Sequence, residues 1–278
     1  MLHGAMIRKP RVLLLVTLSE WGGAQHVVYL LAKHLSDEYE ITVACAPGGE
    51  LIAKLQAEKV CVVEIPSLRR NPHPWHDLRA LGQLYRLMQR ERFDIVHAHS
   101  TKAGLLGRLV AKLAGVRTVI FTAHGWAFTE GRRLWKRQFL ALVERLAARF
   151  SEKIICVSEH DRQLALQFNV ARPEQLTVIY NGFPPFEQAN GAAVRQELGL
   201  GASPVLTFVG RLAPPKDPLT LLEALRILPD CQLICVGDGP LRSETERFAA
   251  QHNLRDRVFF MGTRMDVPEI LAASDIFV

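Results

Sequence analysis

Short apolar runs rich in β-branched residues alternate along this chain with longer stretches in which apolar residues return every three or four positions. In the first 183 residues the apolar runs fall at 11–17, 41–46, 60–65, 95–98, 118–122, 153–157 and 176–179. They carry little polar alternation, the pattern of strands in a parallel sheet that is covered on both faces. The stretches between them read as helices. Over 25–35, Val27, Val28, Leu31 and Leu35 share one face, and 78–92 and 103–114 repeat that period, with Gly115 placed to end the latter. A second series begins at 204–209 and continues at 232–236, 258–261 and 276–278. Between the two series, Asn181-Gly182-Phe183-Pro184-Pro185 break the pattern with turn formers and read as a hinge. The expectation is an α/β protein of two doubly wound domains, residues 1–183 and 184–278, the second incomplete.

Composition narrows the class. At 49% hydrophobic the 278 residues suit a soluble globular protein with a substantial core. Apolar runs such as 12–16 fall well short of the roughly 20 residues of a membrane-spanning helix. Arg8, Lys9 and Arg11 ahead of that run imitate the start of a secretory leader, but no small-residue cleavage site follows. The five cysteines are odd in number and lie in apolar runs, which predicts buried free thiols in a reducing cytoplasm. In an extended run Cys231 and Cys235 would stand about 13 Å apart, too far to share a metal ion.

Charge is unevenly distributed. Residues 1–183 hold 25 Lys and Arg against 16 Asp and Glu, whereas 184–278 hold 9 against 12. A basic first part suggests an anionic partner there. No nucleic-acid module and no interleaving of aromatic with basic residues is present, so nucleic acid is not expected and an anionic membrane surface is. Arg132-Arg133-Leu134-Trp135-Lys136-Arg137 opens an amphipathic helix with Trp135, Phe139, Leu142 and Leu146 along one side. That side either lies on an anionic leaflet or packs on the protein's own sheet, and packing is the default.

The chemistry gathers at strand ends. The first strand runs into Trp21-Gly22-Gly23-Ala24-Gln25 and a helix, a junction that turns backbone N–H groups and the positive end of a helix dipole toward an anion. The same two glycines would equally make a plain tight turn, and they are not the dinucleotide fingerprint. Other strands end in His97-Ala98-His99-Ser100-Thr101-Lys102, in His124-Gly125-Trp126 and in Ser158-Glu159. Ligands of open α/β sheets bind outside the carboxyl ends of strands, which makes His124 the leading catalytic candidate. Ser158 with Asp161 also reads as a helix capping pair, and His97 with His99 as a metal pair without a clear third ligand. In the second series Gly210-Arg211 ends a strand and Lys216-Asp217-Pro218 opens a helix, with Asp217 as N-cap and Pro218 as first helical residue. Arg211 and Lys216 on one loop would clamp two phosphates. Gly237-Asp238-Gly239-Pro240 and Gly262 at the following strand ends would supply a backbone wall for a nucleotide.

These motifs, in this order and spacing, resemble the retaining glycosyltransferases of family 4. They include Gly22-Gly23-Ala24-Gln25, His97-Ala98-His99-Ser100, His124-Gly125-Trp126, Gly210-Arg211-Leu212 with Lys216, Val236-Gly237-Asp238-Gly239-Pro240, and Asp266 to Val278. The run His99-Ser100-Thr101-Lys102-Ala103-Gly104 is similar to members that build capsular, exopolysaccharide or O-antigen units. The resemblance implies the GT-B fold of two Rossmann-like domains, an acceptor-binding domain first and a nucleotide-sugar-binding domain second. It implies that Gly22 and Gly23 face the donor diphosphate, that Arg211 and Lys216 hold its phosphates beside Gly210, and that His124 meets the transferred sugar. Gly237, Gly239 and Pro240 would lie near the nucleotide and Gly262 near the base.

The family's Glu-seven-residues-Glu element and its last helix would follow Val278, so the chain alone is expected to turn over little substrate. The expected reaction moves a hexose or N-acetylhexosamine from a UDP-sugar to a polyprenyl-linked or saccharide acceptor with retained configuration. No cofactor is expected, and no metal, since the chain has no Asp-x-Asp. A non-catalytic nucleotide-sugar-binding fragment, a UDP-sugar 2-epimerase and a lipid-surface scaffold remain alternatives.

Overall fold

The computed structural model describes residues 8–128, 133–183, 189–214 and 216–278. It divides into two units, Met1–Gly182 and Phe183–Val278. Part of the expected hinge, Pro184 and Pro185, lies outside the described residues, as does Arg132.

In the first unit the elements alternate strictly: β1 (Arg11–Leu15), α1 (Gly23–Leu35), β2 (Glu40–Cys45), α2 (Glu50–Ala57), β3 (Cys61–Glu64), α3 (Pro74–Glu91) and β4 (Ile95–His99). Then follow α4 (Thr101–Leu113), β5 (Thr118–Ala123), α5 (Leu134–Ala148), β6 (Lys153–Cys156), α6 (Glu159–Gln167) and β7 (Leu176–Val178). The strands form one parallel sheet in the order β3-β2-β1-β4-β5-β6-β7. The order reverses between β1 and β4, where Leu14 stands opposite His97. Side chains of the strands feed two cores. Val12, Leu14 and Val43 meet α1 and α2 on one face, whereas Leu13, Val96, Ala98 and Phe121 meet the layer of α3, α4 and α5 on the other. Within that layer α4 touches both α3 and α5.

The second unit contains α7 (Ala192–Glu197), β8 (Val205–Val209), α8 (Pro218–Arg226), β9 (Gln232–Val236), α9 (Arg242–Gln251), β10 (Val258–Gly262), α10 (Val267–Ala272) and β11 (Ile276–Phe277). Its parallel sheet runs β10-β9-β8-β11, with the reversal between β8 and β11. Leu206, Phe208 and Leu233 pack on α8 and α9, and Val205, Ile234 and Val236 on the opposite face with Ile270.

Four details depart from the sequence reading. Helix α3 starts at Pro74 rather than 78, because proline at the first position loses no intrahelical bond. Gly23 is already helical, so the tight turn ends one residue earlier. Cys45, Cys156 and Cys235 are buried, and desolvation pushes their thiols up to about 12, 12 and 11, but Cys61 is exposed on the outer flank of β3. The fourth concerns α5. Trp135, Phe139, Leu142 and Leu146 do not pack on the sheet; they are 61%, 59%, 47% and 47% exposed. The buried side is instead Ala141, Glu144, Ala147 and Ala148.

Gly104 lets α4 lie close on β5, and α4 also meets α5. At Gly104 an added Cβ would come within 2.4 Å of the Phe121 ring. Across this seam Arg108 and Glu144 form a fully buried ion pair of 2.6 Å, with the guanidinium also donating to the Gly104 carbonyl and stacked 4.1 Å over Phe121.

Candidate active site

At a reversal of strand order the two flanking helices diverge and leave a crevice outside the carboxyl ends of the strands. Each unit has such a point, and each is built from residues singled out above.

In the first unit the crevice lies at the ends of β1 and β4. Gly22 is the N-cap of α1, no side chain caps that helix, and its first turn holds no acidic residue. A Cβ added at Gly23 would meet nothing within 4 Å, so open space lies beside the backbone there. The end of α4 is different. Its Ala103 N–H donates to the Thr17 hydroxyl at 3.1 Å, and Thr17 is hydrogen-bonded in turn to the Ser100 hydroxyl at 2.8 Å. Lys102, expected among the free rim groups, is engaged with Asp77 at 2.5 Å and the Asn71 carbonyl at 2.8 Å. Thr17 and Asp77 had no marker in the sequence, since both interactions join segments far apart in the chain.

Three histidines line the same rim. Val96 and Ala98 enter the α3–α5 core, so the alternation of a strand sends His97 and His99 to the opposite face, the side of α1. His97 Nε2 is 2.7 Å from the Thr122 hydroxyl, and His99 Nδ1 is 3.1 Å from His124 Nε2. Burial holds the imidazoles neutral: His97 is pushed down to about 3 and His124 to about 4, and His99 well below its usual value.

His99 Nε2 is buried with no partner. A bare buried N–H is rarer than a bare acceptor. The proton of His99 therefore belongs on Nδ1, where it is donated to His124 Nε2. His124 then carries its own proton on Nδ1 and presents a donor, not a base, to anything bound at the rim. Among the described residues no group of three His, Cys, Asp or Glu is arranged to hold a metal ion. Ser158 caps α6, accepting from the Asp161 N–H at 3.0 Å and donating to its carboxylate at 2.6 Å. Trp126 is core, its indole N–H donating to the Asp161 carbonyl at 2.8 Å.

In the second unit the reversal lies at the end of β8, beside β11. Arg211 and Lys216 are both exposed, and among the described residues neither side chain makes an ion pair or hydrogen bond. The loop that carries them is fixed at its centre by buried Leu212 and Ala213. Asp217 caps α8 through the Thr220 N–H at 3.2 Å with Pro218 in the first helical position, which fixes the backbone next to Lys216. Pro215 lies outside the described residues.

The glycines that follow β9 are required by close packing against the neighbouring loop. Gly237 has φ +125° and Gly239 φ +158°, and a Cβ on either would strike the backbone oxygen of Gly210 or Leu212 at 2.0 or 2.4 Å. Leu212 N–H donates to the Asp238 carbonyl, and Leu241 N–H to that of Leu212. These glycines lock the β9 loop onto the loop carrying Arg211. Pro240 begins the turn into α9. Gly262 ends β10 at φ +64°, its carbonyl accepting from the Gly237 N–H at 2.7 Å. Beside it Arg264 is bound in ion pairs to Asp266 and Glu197.

Residues 21–185 match the model of Glycosyltransferase Family 4, and residues 192–278 that of Glycosyl transferases group 1. The chain is 35% identical over 255 residues to the UDP-Gal:alpha-D-GlcNAc-diphosphoundecaprenol alpha-1,3-galactosyltransferase of Escherichia coli, with 87% of this chain and 66% of that protein covered. It is 27% identical over 242 residues to the O-antigen biosynthesis glycosyltransferase WbnH of the same species, covering 86% and 67%. It thus spans about two thirds of the length of these relatives. Anabaena Alr3699/HepE, solved in complex with UDP and glucose, shares the fold at a TM-score of 0.81 and 23% identity, over 96% of this chain and 73% of that one.

Proposed function

The chain belongs to glycosyltransferase family 4, and we propose that it carries the donor-phosphate and sugar-contacting residues of an enzyme that moves a hexose or N-acetylhexosamine from a UDP-sugar to a polyprenyl-diphosphate-linked acceptor in cell-surface polysaccharide synthesis. The observation that carries this reading is the pair Arg211 and Lys216, two exposed and uncommitted cations at the switch point of the second sheet. The relative at 35% identity acts, by its name, on UDP-galactose and a diphosphoundecaprenol-linked sugar, which supports the donor and acceptor classes.

In the proposed reaction the bond from the anomeric carbon to the β-phosphate oxygen breaks and its electron pair stays on UDP. The acceptor hydroxyl attacks from the face the diphosphate leaves and gives its proton to that diphosphate, so configuration is retained. Charge grows on the phosphates, where Arg211 and Lys216 replace a metal ion as the stabilising cations. The Nδ1–H of His124 donates to a hydroxyl oxygen of the sugar. The acceptor lipid brings the enzyme to the cytoplasmic face of a membrane as a peripheral protein.

Wherever transfer is measured, Arg211→Ala or Lys216→Ala is expected to lower turnover by about 10²- to 10³-fold, the usual cost of removing one preorganised charge-stabilising donor. UDP titrated calorimetrically into the 278-residue chain should bind, and either substitution should weaken that binding. Turnover unchanged in both variants removes the mechanism; absence of UDP binding at millimolar concentration removes the donor class.

A further inference from the structure

Helices α3, α4 and α5 form the layer over one face of the first sheet, and the side of that layer turned away from the sheet is unusually apolar. On α3, Trp75, Leu78 and Tyr85 are 71%, 61% and 42% exposed. They recur at spacings of three and seven, opposite the buried Ala80, Leu84, Leu87 and Met88. Leu113 on α4 is 66% exposed, and α5 adds Trp135, Phe139, Leu142 and Leu146. Three successive helices, in contact through α4, thus expose large apolar side chains together. Where exposed apolar side chains gather on one face, they mark a contact surface.

The charges say what the surface meets. The three helices hold nine Lys and Arg against three Asp and Glu. Each of the three acids is already neutralised, Asp77 by Lys102, Glu91 by Arg11 and Arg90, and Glu144 by Arg108. Arg79 and Arg86 on α3, Lys112 on α4 and Lys136 on α5 stand exposed around the apolar stripes with no acidic partner among the described residues. Tryptophan, tyrosine and leucine bordered by unpaired cations, with no free carboxylate on these three helices among the described residues, are complementary to an anionic lipid surface: the apolar groups enter the boundary of the acyl chains and the cations meet lipid phosphates.

We propose that the outer faces of α3, α4 and α5 together form one seat for an anionic lipid leaflet, with Trp75 and Trp135 as its two anchors. The proposal deepens the lipid-linked acceptor reading, but its test needs no turnover and no sugar.

The 278-residue chain is floated with vesicles of phosphatidylcholine alone or with phosphatidylglycerol added, at low and at high salt. Binding is expected to the anionic vesicles at low salt and to fall by about tenfold or more at high salt, since each basic residue near such a surface contributes about 1 kcal/mol. Arg79→Glu with Arg86→Glu on α3 should weaken it by at least about tenfold, and so should Trp135→Ser with Phe139→Ser on α5. All four side chains are exposed, and circular dichroism confirms that the variants keep their helices.

Fluorescence quenching by brominated lipid is then compared between the parent and its Trp75→Phe and Trp135→Phe variants, so that each anchor is read as the quenching lost on its removal, against the constant signal of Trp21 and Trp126. Quenching of both supports one seat; quenching of only one overturns it. Loss of vesicle binding in the α5 variant alone overturns the three-helix face, as does self-association of the chain without any vesicle binding. Vesicle binding together with failed UDP binding would leave the seat standing and remove the donor reading.

Discussion

His99 governs the rim of the first unit without reaching solvent. It is wholly buried, and its Nδ1 proton sets the tautomer of His124 through a single hydrogen bond. In a nitrogen-detected NMR spectrum of the chain near neutral pH, His99 and His124 should both appear neutral and protonated at Nδ1. His99→Phe should let His124 exchange between tautomers, and the opposite assignment in the parent would overturn the derivation. These imidazoles also tie stability to pH. Their folded values, about 3 for His97 and about 4 for His124, lie below the ordinary 6.5, so the unfolded chain binds more protons as pH falls. Their contribution is complete above about pH 6.5 and is lost progressively below it. The urea midpoint should hold steady from about pH 8 to 7 and decline from about pH 6.5 to 5, more gently in His97→Phe. The sequence announced these residues by alternation at a strand end, and it announced Arg211 and Lys216 by a glycine before one and a helix cap after the other. It gave no sign of Thr17, whose hydroxyl bonds across 83 and 86 positions to Ser100 and Ala103.

Helix α5 shows how periodicity can be read correctly and placed on the wrong side. Its apolar stripe is real, but hydrophobicity alone does not say whether a stripe faces a core or a partner. What decides the matter is size: Ala141, Ala147 and Ala148 allow the close approach that the bulky stripe forbids. The charges were equally opaque, because nothing in the sequence pairs Arg108 with Glu144, which the fold puts 2.6 Å apart at a dry seam. Breaking this pair from one side leaves a buried charge without compensation. Glu144→Ala or Arg108→Ala should therefore destabilise the chain by about 3–5 kcal/mol, whereas the double change to Met and Leu should restore most of that. Chemical denaturation of the parent, the two alanine variants and the double alanine variant forms a complete cycle, and additive losses would show that the two side chains do not act as a pair. Strand positions, by contrast, were legible almost to the residue. Parallel strands covered on both faces are the most continuously apolar segments a soluble chain contains.

For the molecule as a whole, the two units make separate predictions. Saturating UDP at about 100 times its dissociation constant stabilises whatever it binds by about 2.7 kcal/mol. Amide exchange should slow in β8 to β10 and their loops and stay unchanged in the β5 and β6 strands of the first unit. Equal protection of both would contradict the assignment of the nucleotide to the second unit. If α3, α4 and α5 rest on a leaflet as proposed, that single layer of helices sets a distance as well as a contact. A helix with its side chains is about 10–12 Å across, so a sheet resting on one such layer holds its carboxyl rim about that far above the plane of the lipid headgroups. In the proposed reaction a diphosphate-linked sugar rising from that plane would reach His124 while its polyprenyl tail stays immersed. The thickness of one helix would thus act as a ruler, favouring acceptors whose growing end lies one or two sugars from the membrane.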